Sequence, residues 1–153
     1  MKLTQNFTLQ ELTRSAKAQS LGIDNALPPQ LLGNVQSLAE MLERVRDALG
    51  GKPLIVTSGY RCRELNKAVG GVTTSDHIQG CAADVLCPSF GTPYAMAKRL
   101  ASQLDRLGIG QMALEGIGGK SWLHLSTRIP ARAADRVITI TDAGAQLGIQ
   151  PLA

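Results

Sequence analysis

The chain has 153 residues, 44% of them hydrophobic and only 3% aromatic, with a formal net charge of +4. That length buries one sizeable core, so a single domain over residues 1–153 is expected, its interior built from Leu, Ile, Val, Ala and Met. The positive charge suits an anionic partner such as a cell-wall polymer, but the basic residues are scattered without interleaved aromatics, which argues against a nucleic-acid module.

The opening residues, Met1-Lys2-Leu3-Thr4-Gln5-Asn6, lack the apolar core of a secretory signal, and no apolar run reaches the length of a membrane span. Synthesis and folding in a cytoplasm are therefore expected. Thr8-Leu9-Gln10-Glu11 has the form of a capping box and predicts a helix from about Leu9 to Gln19, ended by Gly22. Pro28-Pro29 suit the first turn of a second helix, in which Leu31, Leu32, Val35, Leu38, Leu42, Val45 and Leu49 recur at spacings of three and four. Gly50-Gly51 stop it.

Leu54–Thr57 reads as a buried strand that leads into Ser58-Gly59-Tyr60-Arg61. The Arg61 guanidinium there either offers a planar fork to a carboxylate or merely precedes an exposed helix, Arg63–Ala68. Val69-Gly70-Gly71 close that helix and open a loop delivering Ser75 and His77; the loop is glycine-rich but carries no phosphate-binding fingerprint. Ala82–Leu86 reads as a second strand with Asp84 inside it, and a lone buried carboxylate costs several kcal/mol unless it is paired or metal-bound.

Pro88 ends that strand, and Thr92-Pro93 begin a third helix with Met96, Leu100, Leu104 and Leu107 at helical spacing. Gln111–Glu115 predicts a strand, Gly116–Lys120 a turn, and Trp122–Thr127 the returning strand of a hairpin. Arg136–Thr141 reads as a further strand at an edge, and beyond Gly144 no pattern emerges. The N-terminal helices thus occupy about residues 8–50 and a catalytic core about residues 52–141.

His77 and His124 are the only two histidines in the chain. Two imidazoles and the Asp84 carboxylate, without a fourth protein ligand, match a catalytic zinc site that keeps one position open for water. Three cysteines, Cys62, Cys81 and Cys87, form no CxxC pair. One of them could replace a ligand, but alternation turns Cys81 and Cys87 away from the face of Asp84, so small buried hydrophobes in a reducing compartment are preferred.

Ser75-x-His77-x-x-Gly80-x-Ala82-x-Asp84, preceded by Ser58-Gly59-Tyr60-Arg61 and followed by Trp122-x-His124, resembles the zinc peptidases that cut peptidoglycan stem peptides. That family groups zinc D-alanyl-D-alanine carboxypeptidases, the VanX dipeptidases and phage L-alanyl-D-glutamate endolysins. Asn66 and Val69-Gly70-Gly71 share in the resemblance, and Asn6–Leu12 looks like the start of short phage and prophage members. The likeness implies an α+β fold shared with the hedgehog signalling domain, a small antiparallel or mixed sheet with helices packed on one side.

It further implies Zn2+ held by His77, Asp84 and His124, with Arg61 clamping a substrate carboxylate and Ser75 as a further polar contact. Many relatives place the catalytic acid three residues before the second histidine, where this chain has Ser121. Others resemble it in a Gln-x-x-x-Glu strand before the Trp-x-His strand, which points to Glu115 as general base. Asp76 stays unassigned between support of a ligand and plain solvation. The implied partner is a peptidoglycan stem peptide, cut by a monomeric enzyme at the cell wall, in the manner of a phage lytic or virion-associated protein. The bond is left open between D-alanyl-D-alanine and L-alanyl-D-glutamate, and the alternative is a zinc-holding module that binds peptidoglycan or a protein without turnover.

Overall fold

A computed structural model describes residues 1–152. The capping box forms: the Thr8 hydroxyl accepts the Glu11 N–H and the Glu11 carboxylate accepts the Thr8 N–H, starting α1 (Leu9–Thr13). The helix expected to run to Gln19 stops early. Arg14 turns extended with ψ 145°, and Ser15 caps a separate α2 (Ala16–Leu21) by accepting the Ala18 N–H. A serine able to satisfy orphan N–H groups offers the chain a fresh start, and the break frees two carbonyls of α1 for use elsewhere.

A single turn of 3₁₀ helix at Pro29–Leu31 leads into α3 (Leu32–Ala48), whose apolar stripe buries Val35, Leu38, Ala39, Met41, Leu42 and Val45. The chain leaves it through Gly50 and Gly51, both at positive φ, a conformation that glycine adopts without steric cost. The short α4 (Arg63–Ala68) follows the first strand. The third helix of the sequence reading is interrupted: α5 (Pro93–Leu100), capped by Thr92, passes through a 3₁₀ turn at Ala101–Gln103 into α6 (Leu104–Leu107). Among the described residues no helix is long and apolar enough to cross a membrane.

Six strands make one mixed sheet: β1 (Ile55–Ser58), β2 (Ala82–Leu86), β3 (Gln111–Ile117), β4 (Lys120–Ser126), β5 (Val137–Thr141) and β6 (Gly144–Leu147). Their order is β1-β2-β4-β3-β5-β6, with every pair antiparallel except β3 and β5. The α+β class and the mixed sheet stand as expected. Three details differ. The first strand is not buried throughout, because β1 ends the sheet and leaves Ile55 43% exposed. The strand expected at an edge, β5, is internal, since the patternless stretch after Gly144 folds back as β6 and takes that edge. The β3–β4 turn is only Gly118-Gly119, both at positive φ, as a two-residue hairpin of the primed type requires.

Strand alternation gives the sheet two unlike faces. Val56, Ala83, Val85, Met112, Leu114, Leu123 and Leu125 point one way and join Leu38, Leu42, Met96 and Leu100 of α3 and α5 in the hydrophobic core. The residues between them, including Asp84, His124, Ala113 and Glu115, point the other way, into a cleft that the helices of the core leave open.

Candidate metal centre

The register sets the site before any side chain is considered. Asp84 on β2 is the direct cross-strand partner of His124 on β4, which in turn faces Ala113 on β3. On the outer side of Asp84 stands Ser58, brought opposite it by an irregularity in β1 between Val56 and Ser58. A row Ser58, Asp84, His124, Ala113 therefore crosses the open face, and small Ala113 leaves space above it. His77 comes from the loop before β2 and completes the group. His77 Nε2 lies 3.3 Å and His124 Nδ1 3.1 Å from Asp84 Oδ1, and the three donor atoms lie within 4.8 Å of one another.

The second nitrogen of His77 decides what the first one does. Its Nδ1 lies 2.7 Å from the carbonyl oxygen of Gly59, which can only accept, so Nδ1 carries the proton and Nε2 presents its lone pair to Asp84. A nitrogen lone pair and a carboxylate oxygen aimed at each other repel unless a cation or proton lies between them. The set of imidazole nitrogens and a carboxylate oxygen therefore fits a divalent ion of the zinc type.

Without an ion, a proton takes the cation's place between these groups. Burial alone would raise the Asp84 carboxyl, but hydrogen bonds from His124 and His77 in their protonated forms, together with their charge, hold it well below the usual carboxylate range. Burial works against protonating His124, yet its bond to Asp84 and the charges of Asp84 and Glu115 push it above the usual imidazole range. Burial lowers the Arg61 guanidinium, a shift that Asp84 and Glu115 oppose.

Arg61 lines the same cleft, but it is not a free clamp. Its Nε donates to Ser58 Oγ at 3.1 Å, one terminal nitrogen donates to Asn66 Oδ1 at 3.2 Å, and the other sits 3.5 Å from Asp84 Oδ2. It thus steadies the outer oxygen of the carboxylate whose inner oxygen meets both histidines. Asn66 is buried, holds the Val72 carbonyl with its amide, and packs so closely on Gly71 that a side chain there would strike it.

The turn carrying Arg61 is fastened to the N-terminal helices. Tyr60 N–H donates to the Leu12 carbonyl at 2.7 Å, and a Cβ on Gly59 would run into that same backbone. Asn25 donates its amide to the carbonyls of Thr13 and Tyr60, at 2.8 and 3.0 Å, and accepts the Cys62 N–H at 2.7 Å. These bonds use the carbonyls released by the break after α1. The sequence reading gave Asn25 no role; an asparagine in a polar turn has no local signature for bridging residues 37 positions apart.

Ser75 lines the cleft, and its hydroxyl accepts the His77 N–H at 3.2 Å, shaping the loop behind the histidine. Glu115 sits on β3 opposite Trp122 and one cross-strand row from the Ala113–His124 pair, on the same face. The Trp122 indole N–H donates to its carboxylate. Burial first, and the charge of Asp84 second, push the Glu115 carboxyl above the usual glutamate range, against the opposing pull of His124, Trp122 and Arg61. Ser121, where many relatives place the acid, pairs with Gly116 and points to the opposite face, so an acid there in this register would miss the cleft.

The cysteines stay outside the cluster. Cys81 and Cys87 are buried, while the Cys62 sulfur accepts the Leu65 N–H at 3.4 Å and caps α4. The cleft has a volume of ≈ 600 Å³; beyond Glu115 its wall is apolar, made of Ile117, Ile138 and Ile140.

A sheet bearing a His-Asp-His cluster on its open face, with a partly buried carboxylate and a guanidinium beside it, defines a metallohydrolase type of site. The family model described as Peptidase M15 matches residues 5–126, and the chain belongs to that family of metallopeptidases. A zinc D-Ala-D-Ala carboxypeptidase of Streptomyces albus G is 36% identical over 106 residues, 69% of this chain and 41% of the relative. The chain thus spans less than half the length of that relative.

Proposed function

We propose that this chain is a zinc peptidase that hydrolyses peptide bonds in the stem peptides of peptidoglycan, of the D-alanyl-D-alanine or L-alanyl-D-glutamate type, at the cell wall. The observation that carries the reading is the convergence of His77 Nε2, Asp84 and His124 Nδ1 on one point, in a cleft that also holds Glu115 and Arg61. His77, Asp84 and His124 would hold Zn2+. The bound ion supplies Lewis acidity, polarising a carbonyl and bringing the pKa of a water towards neutrality.

The remaining roles fall to the chain's own side chains. Glu115, with its pKa raised, accepts a proton from the attacking water and returns it to the leaving amine. Trp122 holds the Glu115 carboxylate in place through the indole N–H. Arg61 keeps N–H groups beyond those engaged by Ser58, Asn66 and Asp84. These supply the contact for a substrate carboxylate next to the scissile bond, with the Ser75 hydroxyl at the rim, so that attack becomes effectively intramolecular. The uncharged wall of Ile117, Ile138 and Ile140 suits the methyl side chains of alanine-containing peptides.

The test is incubation of purified protein with peptidoglycan, with and without a chelator, followed by mass spectrometry of the muropeptides. New amino groups that vanish on chelation and return with zinc are the expected result, and the masses identify the bond. The second reading is a zinc-holding domain that binds peptidoglycan without cutting it, and it follows if Glu115 does not act as the base. Co-sedimentation without release of amino groups would establish that reading instead.

A further inference from the structure

Asp76 lies between Ser75 and His77, and the chemistry above does not use it. Its carboxylate nonetheless joins the two segments that carry the histidines. Asp76 Oδ2 accepts the Ser126 hydroxyl at 2.7 Å, and Oδ1 accepts an Arg128 guanidinium N–H at 3.2 Å. Ser126 follows His124 by two positions and is fully buried; its oxygen also accepts the Arg128 backbone N–H at 3.1 Å. The backbone carbonyl of Asp76 meanwhile accepts from Gln79 N at 3.2 Å and Cys81 N at 3.1 Å, fixing the turn after His77.

We infer that Asp76 is a positioning residue for the metal centre, a clip between the His77 loop and β4 that sets the separation of the two imidazoles. The inference rests on the zinc reading proposed above. His124 owes its place to the sheet ladder, whereas His77 sits on a loop with no ladder of its own. Its ring is oriented by the Gly59 carbonyl and its main chain is tied to Arg61, both on the β1 side. On the β4 side, Asp76 provides the matching tie. A buried serine with both hydroxyl functions engaged cannot rotate away, and a bond to a carboxylate is of the stronger, charge-assisted kind. The Arg128 contact is the weaker half, because that side chain is 55% exposed and solvent screens it. The ring centroids of His77 and His124 stand 5.1 Å apart, and metal ligation tolerates errors of only a few tenths of an ångström.

The experiment measures zinc affinity by chelator competition, together with kcat and KM on stem peptide, for wild type, Asp76→Ala, Asp76→Asn, Ser126→Ala and the Asp76→Ala/Ser126→Ala double variant. Asp76→Ala and Ser126→Ala each weaken zinc binding by about tenfold or more, the range found when groups supporting metal ligands are removed. The double variant is no weaker than the worse single one, because both remove the same bond. Asp76→Asn recovers most of the affinity, since its amide oxygen still accepts from Ser126. In the alanine variants kcat falls while KM changes little. Should Asp76→Ala fail to fold, Ser126→Ala carries the same test. Single variants binding zinc as tightly as wild type, or losses that add in the double variant, overturn the clip. Wild-type protein that takes up no stoichiometric zinc overturns the proposed function itself, a distinguishable outcome.

Discussion

β4 shows the contrast between the two faces of the sheet within four consecutive residues. Leu123 and Leu125 point into the core and are fully buried, while Trp122 and His124 point into the cleft and keep partial access to solvent. On the first face each large apolar side chain contributes about 1.5–3 kcal/mol by leaving water, and neighbours of similar volume could substitute for one another. On the second face each group is set by its partner: Asp84 tolerates burial because two imidazoles and a guanidinium surround it. The alternating period of a strand therefore lets one segment carry stability and chemistry with little interference between them.

The severest way to break this comparison is to substitute adjacent residues. His124→Ala is expected to remove bound zinc and bring hydrolysis to background, while changing the urea-unfolding free energy of the metal-free protein at about pH 8, where protonation of His124 contributes least, by less than the core substitution does. Leu123→Ala is expected to cost about 2–5 kcal/mol in the same unfolding measurement and to keep one zinc per folded chain. Zinc content by atomic spectroscopy, read beside the unfolding curves, checks both. Equal losses of metal and stability in the two variants would show that the faces are not separable.

Within the polar face, Glu115→Gln separates the proposed base from the candidate ligands. Its kcat on stem peptide is expected to fall by about 10²–10⁴, with zinc content unchanged. Full turnover in that variant would remove Glu115 from the mechanism. Arg61→Lys is a milder change, because an ammonium replaces the planar fork without removing the charge. A rise in KM of about tenfold, the value of one charge-assisted hydrogen bond, is expected from initial-rate measurements.

The smallest effect is on the pH dependence of the metal-free protein. His124 is held above the ordinary imidazole value: burial opposes the shift, and its bond to Asp84 and that residue's charge outweigh it. Its contribution to stability is therefore fully present below the unfolded value of about 6.5 and is lost as pH rises through the higher folded value. Asp84 has the opposite sign, with a contribution complete above the ordinary carboxylate value of about 4, so it stays constant in this window. The melting temperature of metal-free wild type is thus expected to fall by a few degrees from about pH 6 to 8. His124→Ala should flatten that slope, and a slope that persists in the variant would assign it elsewhere.

The three members of the His-Asp-His cluster stood out in the sequence because their chemistry is local: an aspartate in an apolar strand and the only two histidines leave few other readings. The α3 stripe was legible for the same reason, since its period is printed in consecutive turns. The break after α1 was not, because Arg14 and Ser15 suit a helix as well as a cap, and the deciding contacts lie near residue 60. The internal place of β5 depended on a strand, β6, with two polar or small residues around Ala145 and no apolar alternation. Arg61 was singled out from the sequence and lies in the cleft, but its hold on Asp84 was not legible, since nothing in the order of residues says which carboxylate a guanidinium will meet.

The Asn25 bridge ties residues 13, 60 and 62 together without touching any of the three candidate ligands. The turn it steadies nevertheless presents the Gly59 carbonyl to His77, takes the His77 carbonyl on the Arg61 N–H and sets the Arg61 guanidinium beside Asp84, so the amino-terminal helices stand behind two of the candidate ligands. Trimming or fusing the front of the chain is therefore expected to disturb the arginine turn and the His-Asp-His cluster together, although both lie far along the polypeptide from its amino terminus.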